Sequence, residues 1–196
     1  VDQFIIPVGP MKKPELLRLV LQERGSKRVI VFTDTKTRTE ICTSQLQRAG
    51  FRADSIHSDK TQAQRKRALA SFSKGTVDVL VATDVLARGI DVSNIEYVVN
   101  YDLPESPEDY VHRIGRTGRA GETGCAISFV SPESKAQLRD IEKLLGMSIP
   151  TWQSTDTTRP AEKALAGTFV PKATAGSAAF SRSLRRNGAS GFGRRR

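Results

Sequence analysis

Residues 28–50 read RVIVFTDTKTRTEICTSQLQRAG, and this stretch decides the fold. Val29-Ile30-Val31-Phe32 is apolar throughout, without the in-out alternation of a half-exposed strand, as expected of a strand buried on both faces of a parallel sheet. A polar turn follows, and Thr37-x-x-Glu40 forms a capping-box pattern at the head of a helical stretch over 36–49. Gly50 then stands where a helix end favours a left-handed residue. Strand, turn, helix and stop make one βα unit.

The same unit recurs in both directions along the chain. Apolar runs at Phe4–Val8, Arg28–Thr33, Arg52–His57, Val77–Thr83, Ile95–Tyr101 and Cys125–Val130 alternate with helical stretches at 12–24, 36–49, 61–74, 106–114 and 132–145. Thr61-x-x-Gln64 repeats the capping box, and Ser106-Pro107 and Ser131-Pro132 set a cap residue before proline at the first helical position. Gly25, Gly75 and Gly146 close three further helices. The pattern predicts an α/β fold, a doubly wound parallel sheet of five or six strands over residues 1–150.

The 196 residues carry a net charge of +10, with 38% hydrophobic and 27% charged residues. Length and composition suit one globular α/β domain with an appendage. The charge is unevenly placed: residues 151–196 hold nine Lys/Arg against two Asp/Glu, leaving only +3 for residues 1–150. A basic excess points to a polyanionic partner. Residues 151–170 read as a poorly defined extension, with Trp152 and Phe169 expected to pack back on the domain. Residues 171–196, rich in Ala, Ser, Gly and Arg, are expected to be a disordered basic tail. No apolar run reaches the length of a membrane span and no secretory signal opens the chain. Cys42 and Cys125 give neither a disulfide framework nor a zinc spacing, so a reducing, cytoplasmic setting is expected. The chain starts mid-strand without Met, which suggests a piece of a longer protein.

In open parallel sheets, ligands bind beyond the carboxyl ends of the strands, and two chemically loaded segments are expected there. Thr83-Asp84-Val85-Leu86-Ala87-Arg88-Gly89-Ile90-Asp91 gathers a hydroxyl, carboxylates, an arginine and a glycine, suited to gripping a sugar-phosphate. The plainer reading is a polar loop with an Asx cap at Asp84. His112-Arg113-Ile114-Gly115-Arg116-Thr117-Gly118-Arg119 spaces three arginines by three between two glycines. Its arginines suit forked contacts to phosphate oxygens, and the plainer reading is a solvated basic loop. No G-x-x-x-x-G-K-[ST] phosphate loop occurs anywhere. The chain offers arginines to a nucleotide without a cradle to hold one.

Together these segments resemble the second RecA-like domain of DEAD-box RNA helicases, over roughly residues 1–146. Val31-Phe32-Thr33-Asp34-Thr35 resembles the family's motif IV, and His57–Arg65 the stretch with its Q-x-x-R pair, Gln62 and Arg65. Thr83–Asp91 resembles motif V, His112–Arg119 motif VI, and Asn100-Tyr101-Asp102-Leu103-Pro104 the segment just upstream of it. The family usually carries Gly where Ser58 stands, so a mildly strained left-handed turn is expected there. The wording Asp59-Lys60-x-Gln62 and the short basic tail look most like bacterial helicases of the RhlE type.

The resemblance implies a helicase that acts on RNA with ATP and Mg²⁺, both held mainly by an N-terminal RecA-like domain in cis. It implies arginine fingers at Arg116 and Arg119, ribose contact by Asp91, and coupling of nucleotide to RNA by His112. Arg113 would hold the interdomain geometry beside the nucleotide. Thr35, Arg65, Thr83 and Gly89 would meet the RNA backbone, with Gln62 ordering its own loop and Asp84 and Arg88 tying motifs together. A monomer is expected. A non-catalytic RNA-binding or scaffold module with the same fold is the alternative, which the joint presence of Asp91, Arg116 and Arg119 disfavours.

Overall fold

The computed structural model describes residues 1–9, 12–85, 92–118 and 123–152. The strands are β1 (Asp2–Pro7), β2 (Val29–Phe32), β3 (Ala53–Ile56), β4 (Val79–Ala82), β5 (Tyr97–Asn100) and β6 (Cys125–Val130). The helices are α1 (Lys13–Arg24), α2 (Lys36–Arg48), α3 (Gln62–Lys74), α4 (Pro107–Ile114) and α5 (Lys135–Leu145), the last entered through a 3₁₀ turn at Pro132–Ser134. All six strands are parallel, in the order β1-β6-β5-β2-β4-β3. The expected α/β sheet of doubly wound type is the observed one.

Side-chain alternation along each buried strand explains the double cover. In one face's row, Val31 is in register with Val81 on one side and Val99 on the other. These join Val29, Val79 and Ile127 under Leu17, Val20 and Leu21 of α1 and Cys42 and Leu46 of α2. The neighbouring row, Ile30, Leu80 and Val98, faces the other way onto Ala68 and Phe72 of α3. Along the same face, Ala126 and Val130 of β6 lie under Tyr110 and Ile114 of α4 and Ile141 of α5. β2 is therefore buried on both sides, and each such side chain taken fully from water contributes about 1.5–3 kcal/mol.

Two local expectations are corrected. Thr35, not Thr37, caps α2: its Oγ1 accepts the Arg38 N–H at 3.1 Å, from extended backbone at φ −128°. The helix thus begins at Lys36, and Glu40 is released from capping duty. Ser106 precedes α4 as foreseen, but its hydroxyl turns to the Glu108 carboxylate at 2.7 Å instead of a backbone amide. The Thr61–Gln64 capping box forms as predicted, with both reciprocal bonds, at 2.8 and 3.2 Å.

After α5 the chain returns along β1. Ile5 donates its N–H to the Pro150 carbonyl and accepts from the Trp152 N–H at 2.8 Å, making a parallel bridge to Thr151. Trp152 packs on the α1 side of the core, with the Arg24 guanidinium 5.8 Å from its ring centre. Phe169 and the basic segment 171–196 lie outside the described residues.

Candidate functional site

Because every strand is parallel, the carboxyl ends of β2, β3, β4 and β5 share one edge, and each runs directly into a segment singled out above. Beyond β2, the fully buried Thr33 hydroxyl lies 2.6 Å from that of Thr39, which donates to the Thr35 carbonyl. This holds exposed Thr35 at the N-terminus of α2. Beyond β3, residues 57–61 lead into the capped N-terminus of α3. Two helix N-termini, each carrying a partial positive charge, therefore open on the same edge. Lys36 at the head of α2 reaches Asp59 in the β3–α3 turn at 2.8 Å, bridging the two.

Arg65 sits one turn into α3. Its Nη2 donates to the Ser58 carbonyl at 3.3 Å, while its Nε is buried with no protein partner. Gln62 is exposed at the first helical position, and Gln64 orders the loop in its place. Ser58 carries no left-handed strain: among the described non-glycine residues only Arg28 and Asn94 have positive φ, each at 59°. Those two are joined instead, since Arg28 donates to the carbonyls of Asn94, Ser93 and Phe72 and stacks on the Phe72 ring.

Behind this edge lies a cluster that sequence reading did not weigh. The Glu40 carboxylate, freed from capping, accepts from Ser55 Oγ at 2.7 Å, His57 Nε2 at 2.7 Å and Lys60 Nζ at 3.1 Å. Burial alone would raise the Glu40 carboxyl, but these three donors outweigh it and pull it down to about 2. Beyond β5, Asp102 accepts from Lys13 Nζ and Arg38 Nη1, both at 2.7 Å, and from the Asp34 N–H at 3.1 Å. Asp102 is thereby held below the ordinary carboxylate range despite its burial. Asp34 is pushed the other way, by burial first and by the charge of Asp102 second.

At the end of β4, Thr83 is half-buried and its N–H continues the sheet ladder to the Ile56 carbonyl. Asp84 receives both ends of the Arg113 guanidinium, Nε at 2.5 Å and Nη2 at 2.9 Å. Arg113 also donates to the Asp102 carbonyl at 2.7 Å and to Asn100 Oδ1 at 3.4 Å, over the ring of Phe32. It is fully buried. The resemblance gives Arg113 a role in interdomain geometry beside the nucleotide. Its donors all turn into the domain, where it clasps the segment after β4 to that after β5.

The rest of motif VI departs from the expected position. Thr117, buried, donates its hydroxyl to the carbonyls of Ile95 at 2.6 Å and Glu96 at 3.1 Å, which precede β5. Gly118, at φ +69°, presses against Gly124, which precedes β6. A Cβ on Gly124 would lie 2.6 Å from Gly118 Cα, so no side chain fits there without moving the turn. The segment therefore descends from the carboxyl edge, where the Arg113 head is, to the amino edge. The helix ends at Ile114 but tightens through i→i−3 bonds to Thr117, and the chain turns only at Gly118.

Along α4 the buried face carries Tyr110, Arg113 and Ile114; Asp109 and His112 line a flank of the helix, and Arg116 follows just past its end. His112 is exposed, its Nδ1 3.7 Å from Asp109 Oδ1, and the Arg116 Nε donates to the His112 carbonyl at 3.3 Å. Arg88, Gly89, Asp91 and Arg119 lie outside the described residues. Among the described residues, no group of three or more His, Cys, Asp or Glu is placed to hold a metal ion, and no helix is long and apolar enough to cross a membrane.

Three comparisons with known proteins bear on this arrangement. A family profile described as the helicase conserved C-terminal domain matches residues 11–121. The DEAD-box ATP-dependent RNA helicase CshA of Bacillus licheniformis is 48% identical over 143 residues, covering 73% of this chain and 29% of that protein. The chain thus spans less than a third of the length of the curated relative. Among solved structures, E. coli DEAD-box protein SrmB bound to regulator of ribonuclease activity A is 32% identical with a TM-score of 0.73, over 81% of this chain and 96% of that one. S. cerevisiae Dbp5 bound to RNA and ADP BeF3 is 32% identical with a TM-score of 0.70, over 84% of this chain and 45% of that one. None of these three supports the narrower expectation of an RhlE type.

Proposed function

Because the chain belongs to the DEAD-box RNA helicase family, as its conserved C-terminal helicase domain, we propose that it is the RNA-gripping and finger-bearing half of an ATP-dependent RNA helicase. The observation that carries this reading is the Arg113 clasp. It joins the edge with Thr35, Arg65 and Thr83 to the helix with His112 and Arg116, so a load on one surface is felt at the other.

At the sheet edge, Thr35, Arg65, Thr83 and Gly89 meet successive phosphates and riboses of one RNA strand, with Gln62 alongside and Arg88 supporting the loop. Two helix N-termini suit phosphate oxygens, and the half-buried Arg65 guanidinium lies beside them. Contacts confined to the backbone bring little sequence preference. On the other surface, Arg116 and Arg119 stabilise the transferring phosphoryl group of ATP and Asp91 meets its ribose. The phosphates and their Mg²⁺ are held by an N-terminal RecA-like domain in cis that supplies the phosphate loop. Closure of the two domains over ATP and RNA strains a short duplex and frees one strand, with His112 linking the two ligands. The basic segment 171–196 tethers RNA without regard to sequence. The protein works as a cytoplasmic monomer.

The salt dependence of single-stranded RNA binding tests the edge. Arg65→Ala is expected to weaken binding and flatten the log–log salt slope by about 0.7, the share of one phosphate on a single strand. Deleting 171–196 should flatten it by several such steps. An Arg65→Ala chain with unchanged affinity and slope would remove this edge from the RNA path.

A further inference from the structure

The β3–α3 turn leads into the helix that bears the candidate RNA residues Gln62 and Arg65, and it is anchored on one imidazole. His57, at the end of β3, is 6% exposed. Its Nδ1 accepts the N–H of Asp59 at 3.2 Å, and its Nε2 lies 2.7 Å from Glu40 Oε1. A backbone N–H only donates, so Nδ1 carries no proton and the ring donates through Nε2. This tautomer is assigned from the hydrogen-bond pattern. The same Glu40 oxygen takes Ser55 Oγ from within β3 and Lys60 Nζ from the far end of the turn. The turn is closed by the Lys60 N–H on the His57 carbonyl at 3.1 Å, and the carbonyl of Ser58, inside it, receives Arg65 Nη2. An unbroken hydrogen-bonded path thus runs from Glu40 on α2 through His57 and the turn to the guanidinium of Arg65.

We infer that His57 and Glu40 are positioning residues for RNA binding: the ring, locked as its Nε2–H tautomer between Glu40 and Asp59, sets the turn that aims Arg65 at the RNA strand. His57 is a strut that never touches RNA itself, since its ring is buried and both nitrogens are occupied. Glu40 serves as an acceptor; what the three donors require is an oxygen at that place, and glutamine supplies one. The inference rests on the reading of this edge as the RNA path.

The test uses the whole 196-residue chain, ¹⁵N-labelled, titrated with a ten-nucleotide single-stranded oligouridine RNA. The Arg65 Nε–H is buried, so its resonance reports this site separately from the basic tail. In the wild type it should shift saturably, and the His57 ring should show a protonated Nε2 beside an unprotonated Nδ1. Glu40→Ala and His57→Ala should each weaken the dissociation constant read at Arg65 by about fivefold, the equivalent of about one net hydrogen bond. Glu40→Gln should stay within about twofold of wild type, a rescue that loss of general stability would not produce. If His57→Ala fails to fold, the Glu40→Ala and Glu40→Gln pair carries the comparison.

Unchanged affinity at Arg65 in a folded Glu40→Ala or His57→Ala chain overturns the inference while leaving the RNA edge intact. So does a ring protonated on Nδ1. If RNA shifts other resonances but leaves that of wild-type Arg65 unmoved, the edge reading fails and the inference falls with it.

Discussion

Arg116→Ala in the two-domain enzyme proposed above is expected to lower ATP turnover by about 10³–10⁵, the range for removal of an arginine finger, while ATP affinity stays nearly unchanged. The expectation follows from where the residue stands. Arg116 lies just past the last helical residue of α4, half-buried, where Arg113 three residues before it is fully buried. The Arg116 Nε donates to the His112 carbonyl at 3.3 Å. Arg116→Lys keeps the charge but loses the planar fork and should restore little of the rate. Single-turnover hydrolysis with bound RNA measures this directly. A rate within tenfold of wild type for Arg116→Ala would remove the finger assignment.

The second large effect falls on stability. Asp84→Ala is expected to cost about 3–5 kcal/mol in urea unfolding, because it strands the guanidinium of Arg113 as a buried charge without its counter-ion. Asp84 is itself part-exposed, while Arg113 has no exposure at all, so the arginine cannot recover hydration when its partner goes. The paired replacement Arg113→Met with Asp84→Leu removes both charges and should return much of that stability. It should not return RNA-stimulated turnover, since the clasp between the β4 and β5 ends is then gone. Recovery of turnover by the apolar pair would show that packing, and not the clasp, carries the coupling.

The sequence was most readable where the reason for a residue is local. Unbroken apolar runs located the strands, and Thr61-x-x-Gln64 the head of α3, because buried parallel strands and capping boxes depend on near neighbours. The cap of α2 is legible only in part: Thr37-x-x-Glu40 fits the capping-box spacing, yet Thr35 makes the cap. Only the buried Thr33–Thr39 bond, which holds the Thr35 carbonyl, settles where the helix begins. The depth of Arg113 is not legible in the sequence, because spacing gives order along the chain and no depth. Arg113 sits in one series with Arg116, yet it is fully buried while Arg116, three residues on and past the helix end, is half-buried. The descent of motif VI to the amino edge was equally hidden, resting on Thr117 bonds to carbonyls 21 and 22 residues away. Asp102 and Glu40 left little local trace, since most of their partners come from other elements. A carboxylate directly after a buried strand, as in Asn100-Tyr101-Asp102, is the one signal that pointed to the former.

RNA-stimulated ATP hydrolysis, measured in parallel on the 196-residue chain and on the two-domain enzyme, tests the central claim most directly. The chain alone should hydrolyse no ATP with or without RNA, and the two-domain enzyme should do so at a rate that rises steeply when single-stranded RNA is added. Turnover by the chain alone, or a two-domain rate indifferent to RNA, would contradict the division of labour proposed here.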